Sequence, residues 1–156
     1  MNNITELYSA DDAKIMQIAE QARLIGQSRI DEIISFAKKS GIKRIGIANC
    51  VCMTKETEIL KNILKADFDV YSTDCKVGNL PASKIAGDES KKGISCNPAG
   101  QAEYLNQQGT ELNIVLGLCV GHDMILNKKS DAIVTTLLVK DKKYKHNPYE
   151  FFENKL

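Results

Sequence analysis

Two short apolar runs separated by a helical pattern constrain this chain more than any other feature. RIGIANC, residues 44–50, carries no charge after Arg44, and FDVYST follows at 68–73. Between them Thr54 predicts a helix cap, and Ile59, Leu60, Ile63 and Leu64 recur at helical spacing. Strand, helix and strand in this length make a β-α-β unit, whose strands run parallel because they are joined by a long crossover rather than a hairpin. LNIVLGL at 112–118 and AIVTTLLV at 132–139 supply two more strands, with a brief helix from about Gly121 to Asn127 between them. Pro98 predicts the first turn of a helix that runs to about Gln108 and stops at Gly109. The expected fold is α/β, a three-layer Rossmann-like or flavodoxin-like arrangement with a mainly parallel sheet of about four strands and flanking helices.

Ahead of this pattern Ser9 predicts a helix over about residues 10–24, interrupted by Gly26, and a second helix carries Ile30, Ile33, Ile34 and Ala37 before closing at Ser40 and Gly41. Residues 1–156 therefore read as one domain, with an N-terminal helical segment at 1–41 and an α/β core at 42–156. A chain of 156 residues buries a core without disulfide or metal staples, so folding alone does not account for its cysteines. With 21 basic against 20 acidic residues, it offers no broad field for nucleic acid. No apolar run approaches the roughly 20 residues that a bilayer requires, and the start MNNITELYSADD lacks the features of a signal peptide. These features predict a cytoplasmic protein without nucleic-acid or membrane partners, and leave a homo-oligomer open. No GxGxxG or GxxxxGK loop argues for a nucleotide. The C-terminal stretch from KKYKHNP onward predicts a terminal helix that packs Phe151 or Phe152 on the sheet.

The chemistry lies in five cysteines. In a reducing compartment an odd set of thiols reads as ligands, catalysts or core residues rather than bridges. Cys50 and Cys119 end strands and Cys75 follows one, so a parallel sheet gathers all three at its carboxyl edge, where open α/β sheets bind ligands. Cys96 precedes the helix opened by Pro98, and Cys119 also precedes a helix, which places both near a positive dipole end that favours thiolate. Four thiolates satisfy Zn²⁺ or a [4Fe–4S] cluster, and Cys50, Cys75, Cys96 and Cys119 are the expected metal and cofactor ligands. A lone buried cysteine is more simply a small core residue, but several at one sheet edge favour a site. Cys52, two residues after Cys50, lacks the spacing of a usual knuckle and is at most an added ligand. His122 and Asp123 in VGHD are the expected catalytic pair, while the same residues also suit a polar helix start. His146, in HNP, reads as a terminal surface residue. The polar stretch between Cys75 and Cys96 reads as a long loop, with a short helix at ASKIA, that resembles a lid.

The motifs IGIANC, CKVG, CNP with Gln101 and Ala102, GLCVGHD and HNP, in this order over about residues 43–149, resemble a group of small uncharacterised proteins of archaea and anaerobic bacteria regarded as metal-binding. The resemblance implicates Cys50, Cys75, Cys96, Cys119 and His122. Members of that group often begin with a further cysteine-rich segment, and this chain has no cysteine before Cys50, so the resemblance carries only the α/β site. Two classes of function follow. One is a binding protein for Zn or an iron–sulfur cluster. The other is an enzyme, either a [4Fe–4S] protein with an open iron for a sulfur- or oxygen-bearing small-molecule substrate, desulfidase- or lyase-like, or a metal-free thiol redox protein.

Overall fold

A computed structural model describes residues 4–23 and 25–155. The chain divides into two compact units, Met1–Ile42 and Lys43–Leu156.

The first unit holds α1 (Ala10–Ala22) and α2 (Arg29–Ser40), which pack on each other. Each begins with a reciprocal capping box. The Ser9 and Ser28 hydroxyls accept from the N–H groups of Asp12 and Asp31, whose carboxylates accept in return from the two serine N–H groups. Gly41 closes α2 in the left-handed region at φ 73°, where only glycine rests without strain. α1 ends at Ala22, two residues short of the expected end, with Arg23 as its extended C-cap.

The second unit is an all-parallel sheet of β1 (Arg44–Asn49), β2 (Asp69–Asp74), β3 (Leu112–Leu118) and β4 (Ile133–Val139), in the order β2-β1-β3-β4. The sheet is flanked by α3 (Thr54–Leu64), α5 (Pro98–Gln107) and α6 (His122–Lys129). Right-handed crossovers place α3 on one face and α5 and α6 on the other, because the path from β1 to β2 runs opposite to that from β2 to β3. The order reverses between β1 and β3, so the crevice at their carboxyl ends is the topological switch point of the fold.

β3 is buried along its whole length and β1 from Ile45 onward, as expected for central strands covered on both faces. On the α5 face, Ala48, Val115 and Leu118 meet Ala102, Leu105 and Leu126. Gly46 is a glycine for close approach, since a Cβ there would stand 2.0 Å from Asn113 Oδ1 and 2.9 Å from Leu105. Asn113 itself is fully buried and satisfied, accepting from Thr110 Oγ1 at 2.8 Å and donating to Ser130 Oγ at 2.8 Å.

The structure adds detail to three expectations. Thr54 is the first helical residue of α3 rather than its cap, because a 3₁₀ turn at Val51–Met53 intervenes and the Thr54 hydroxyl donates back to Val51 O at 2.8 Å. The 75–96 stretch has the short helix expected at ASKIA and is closed by a stem of its own. Its stem pairs Pro81 with Ile94, bonds Ala82 N–H to Gly93 O and Ser95 N–H to Leu80 O, and carries α4 (Ala82–Ala86). Phe151 and Phe152, on α7 (Glu150–Glu153), lie outside the buried core at 43% and 60% exposure and meet edge to face, with Tyr144 against Phe151. An exposed aromatic cluster of this kind buries its rings on one another. Among the described residues, no helix is long and apolar enough to cross a membrane.

Candidate functional site

The parallel register builds the site. Asn49 of β1 pairs with Asp74 of β2, so the next residues, Cys50 and Cys75, leave adjacent strands at the same level. Neighbouring strands lie about 4.8 Å apart, which makes these two thiols neighbours despite their separation in sequence. Cys75 is buried in the α5-side core, and Cys50 and Cys96 pack against that cluster half-buried.

After Cys50 the chain turns at once. Met53 N–H donates to Cys50 O at 2.8 Å, and the 3₁₀ turn swings Cys52 back until its thiol donates to Cys50 Sγ at 3.5 Å. The second pair forms where α5 begins. Asn97 N–H donates to Cys75 O at 2.8 Å, the Asn97 side chain caps α5 by accepting from Gly100 N–H at 2.9 Å and donates to Val77 O at 3.1 Å, and the Cys96 thiol donates to Cys75 Sγ at 3.6 Å. Gln101, one turn on and fully buried, donates through Nε2 to Asn49 O at 3.0 Å and Thr73 O at 2.9 Å. Cys96, Asn97, Pro98 and Gln101 thus each have a structural task, and one side-chain amide ties the ends of β1 and β2 together. Gln101 Oε1 is buried without a protein partner.

Lys140, directly after β4, completes the arrangement. Its ammonium donates to Cys50 Sγ at 3.1 Å and to Cys52 Sγ at still closer range. The electrostatics follow. Burial acts most strongly on the Cys50 thiol and would raise its pKa, but the Cys52 N–H, the Lys140 ammonium and the Cys52 thiol all bond to the sulfur and with the lysine charge bring it down to about 7. Cys75 moves the opposite way: burial pushes it up to about 12, reinforced by Cys96 and by the neighbouring Cys50 charge, and only the Val51 N–H opposes this. Burial also works against the Lys140 charge, yet its bonds to Cys52 and Cys50 outweigh that and hold its pKa above the ordinary lysine value.

Of the four expected ligands, Cys50, Cys75 and Cys96 stand together, and among the described residues no hydrogen bond joins the Cys119 sulfur to another cysteine. A slip in β3 precedes Cys119. Its register against β4 shifts on both sides of Leu116, and Gly117 sits at φ 68°. Val115 and Leu118 consequently face the same core cluster, so the alternation is inverted before Cys119. A Cβ at residue 117 would also stand 2.7 Å from Met53 Cγ.

Cys119 O accepts from the N–H groups of His122 and Asp123, and the Asp123 carboxylate accepts from Met124 N–H at 2.8 Å, so these residues shape the start of α6. His146 contacts no sulfur by a hydrogen bond among the described residues. Its Nδ1 accepts from Asp141 N–H at 3.0 Å and its N–H donates to Asp141 O at 2.7 Å, which closes the turn that follows Lys140. Lys145 and His146 both hold positive φ in this turn. Among the described residues no group of three or more His, Cys, Asp or Glu side chains converges as a ligand set for one ion.

Cys52 and Lys140 carry more of the site than their sequence signals conveyed. The CVC spacing marked Cys52. Lys140 was marked only by its place after the apolar run AIVTTLLV, which in a parallel sheet delivers a charge to the same edge as the cysteines.

No solved structure matches the chain. An uncharacterised protein of Methanocaldococcus jannaschii, MJ0455, is 41% identical to it over 150 residues, covering 92% of this chain and 78% of that protein. A family model described as "Protein of unknown function (DUF1847)" matches residues 1–137, and the chain belongs to that family.

Proposed function

We propose that the carboxyl edge of the sheet binds a thiophilic metal centre, zinc or an iron–sulfur cluster, through Cys50, Cys52, Cys75 and Cys96. The spacing of the sulfurs carries this reading. Two thiolates on one tetrahedral ion with metal–sulfur bonds of about 2.3 Å stand about 3.8 Å apart. The pairs Cys50/Cys52 and Cys75/Cys96, at 3.5 and 3.6 Å, are within a few tenths of an ångström of that separation. The donor chemistry agrees, since thiolate sulfur selects zinc, copper(I) and iron–sulfur centres over harder ions.

When bound, such a centre supplies Lewis-acid or one-electron chemistry. The part of the chain itself is electrostatic. The N–H groups of Val51 and Cys52 and the Lys140 ammonium aim at the sulfurs and favour their anionic form. Cys119, His122 and Asp123 lie at the adjoining strand end, where they would serve a substrate if the centre is enzymatic.

The test is metal and acid-labile sulfide content, with an absorption spectrum, on protein purified without oxygen or chelator. Stoichiometric zinc, or iron with matching sulfide, supports the proposal. Protein that holds neither, even after anaerobic reconstitution, overturns it.

Lys140 favours a second reading, a metal-free thiol redox protein in which Cys50 is the nucleophile, because an ammonium beside the sulfur maintains a reactive thiolate near neutral pH. Metal-free protein that retains a rapidly exchanging thiol would support that reading.

A further inference from the structure

The sulfurs of this site come as two pairs, each pair in contact and each on its own strand end. Cys52 returns to Cys50 through the turn after β1, and Cys96 returns to Cys75 through the Asn97 bond after β2. Gln101 fixes the two strand ends relative to one another by donating to a carbonyl on each. From this the geometry points to a dinuclear centre with one ion per pair, of the [2Fe–2S] class, in place of the single zinc or [4Fe–4S] cubane that four cysteines first bring to mind. This inference rests on the metal-binding reading above and specifies its nuclearity.

The number of thiolates per ion separates the three kinds of centre. A single tetrahedral ion brings all four sulfurs into mutual contact, whereas among the described residues the sulfur–sulfur hydrogen bonds join only the members of each pair. A cubane takes one terminal thiolate per iron, so its ligands stand well apart, and two thiols already in contact would have to separate. A sulfide-bridged dinuclear centre takes two thiolates on each iron, which is the pairing that the turn after β1 and the start of α5 produce. N–H groups directed at sulfur further suit an anionic cluster. Val51 donates to Cys75 Sγ and Cys52 donates to Cys50 Sγ.

Lys140 makes the two halves unequal. Its ammonium bonds to both sulfurs of the Cys50/Cys52 pair and reaches neither sulfur of the other pair by a hydrogen bond. Hydrogen bonds and positive charge at ligand sulfur favour the reduced state. In such a centre the iron held by Cys50 and Cys52 would be the more easily reduced, and Lys140 would be a positioning residue that sets its potential.

The experiment uses full-length protein, purified or reconstituted anaerobically with ferrous iron and sulfide. About two iron and two sulfide per chain are expected, with one dithionite electron giving a mixed-valence signal in electron paramagnetic resonance. Cys52→Ser should lose the centre and Cys119→Ser should keep it, with circular dichroism showing that both variants fold. Lys140→Met should retain iron and sulfide but shift the midpoint potential to more negative values, and Lys140→Arg should restore it. Four iron with four sulfide, one zinc without sulfide, or retention in Cys52→Ser with loss in Cys119→Ser would overturn the dinuclear assignment and leave metal binding standing. An unshifted potential in Lys140→Met would overturn the role of the lysine. Protein that holds no metal at all removes both this inference and the reading beneath it.

Discussion

Cys50 and Cys75 stand side by side yet differ widely in proton affinity, and the difference is set by what each sulfur meets. Cys50 faces an ammonium and N–H donors, whereas Cys75 sits in the core with the Cys96 thiol and a neighbouring negative charge. In reduced, metal-free protein, the rate of Cys50 alkylation by iodoacetamide should rise through a pH of about 7, while Cys75 stays unmodified across the neutral range. Lys140→Met should slow labelling of Cys50 at neutral pH about tenfold, because a thiol returned toward its ordinary value is mostly protonated there. Peptide mass spectrometry across a pH series reads both outcomes, and equal labelling of the two cysteines at pH 7 would count against this electrostatic account.

Among the elements, β1 and β3 are the most exacting. Gly46→Ala would drive a methyl into Asn113 Oδ1 and Leu105 and should lower unfolding stability by about 1–3 kcal/mol, measured by urea titration. Gln101→Leu removes the two bonds to strand-end carbonyls while relieving the unpartnered Oε1, so a net loss of about 2 kcal/mol is expected. A loss of that size with unchanged metal content would separate the structural role of Gln101 from any part in holding the site. Strands and helices were largely legible because apolar period and cap chemistry act locally. LNIVLGL coincides with β3, and Pro98 and Gly41 stand where a helix start and stop require them. The turn of the chain ahead of Cys119 was not legible in the same way. Strand-edge reasoning assumes that side chains keep alternating, and the slip around Gly117 inverts that alternation two residues before the thiol.

For the whole molecule, the thiols and Lys140 make stability depend on pH in a direction that can be worked out. Cys50 is depressed from 9.0 to about 7, so its contribution is fully present above pH 9 and is lost as pH falls through 7. Cys75 is raised to about 12, so its contribution is present below 9 and fades as pH rises toward 12, and Lys140 acts in the same sense above its ordinary value. The urea midpoint of reduced, metal-free protein should therefore climb between pH 6.5 and 9 and decline above that, with the climb abolished in Cys50→Ser. Glu111, whose carboxylate accepts from the Lys43 and Arg44 N–H groups at 2.8 and 3.0 Å, is held below the usual carboxylate range by those bonds. It adds stability that disappears only in acid, outside this window. The candidate site could be read from sequence only in part for a related reason. Cys50, Cys75 and Cys96 follow from a parallel sheet, but the reach of a flexible lysine from the far side of β3 depends on packing that no local pattern encodes.

The Gln101 amide that joins β1 and β2 works as a caliper. An amide nitrogen does not stretch, and its two hydrogens straddle the carbonyls of Asn49 and Thr73. One rigid group therefore holds both strand tips that carry the thiol pairs. A centre seated across those pairs would meet the same spacing in each chain.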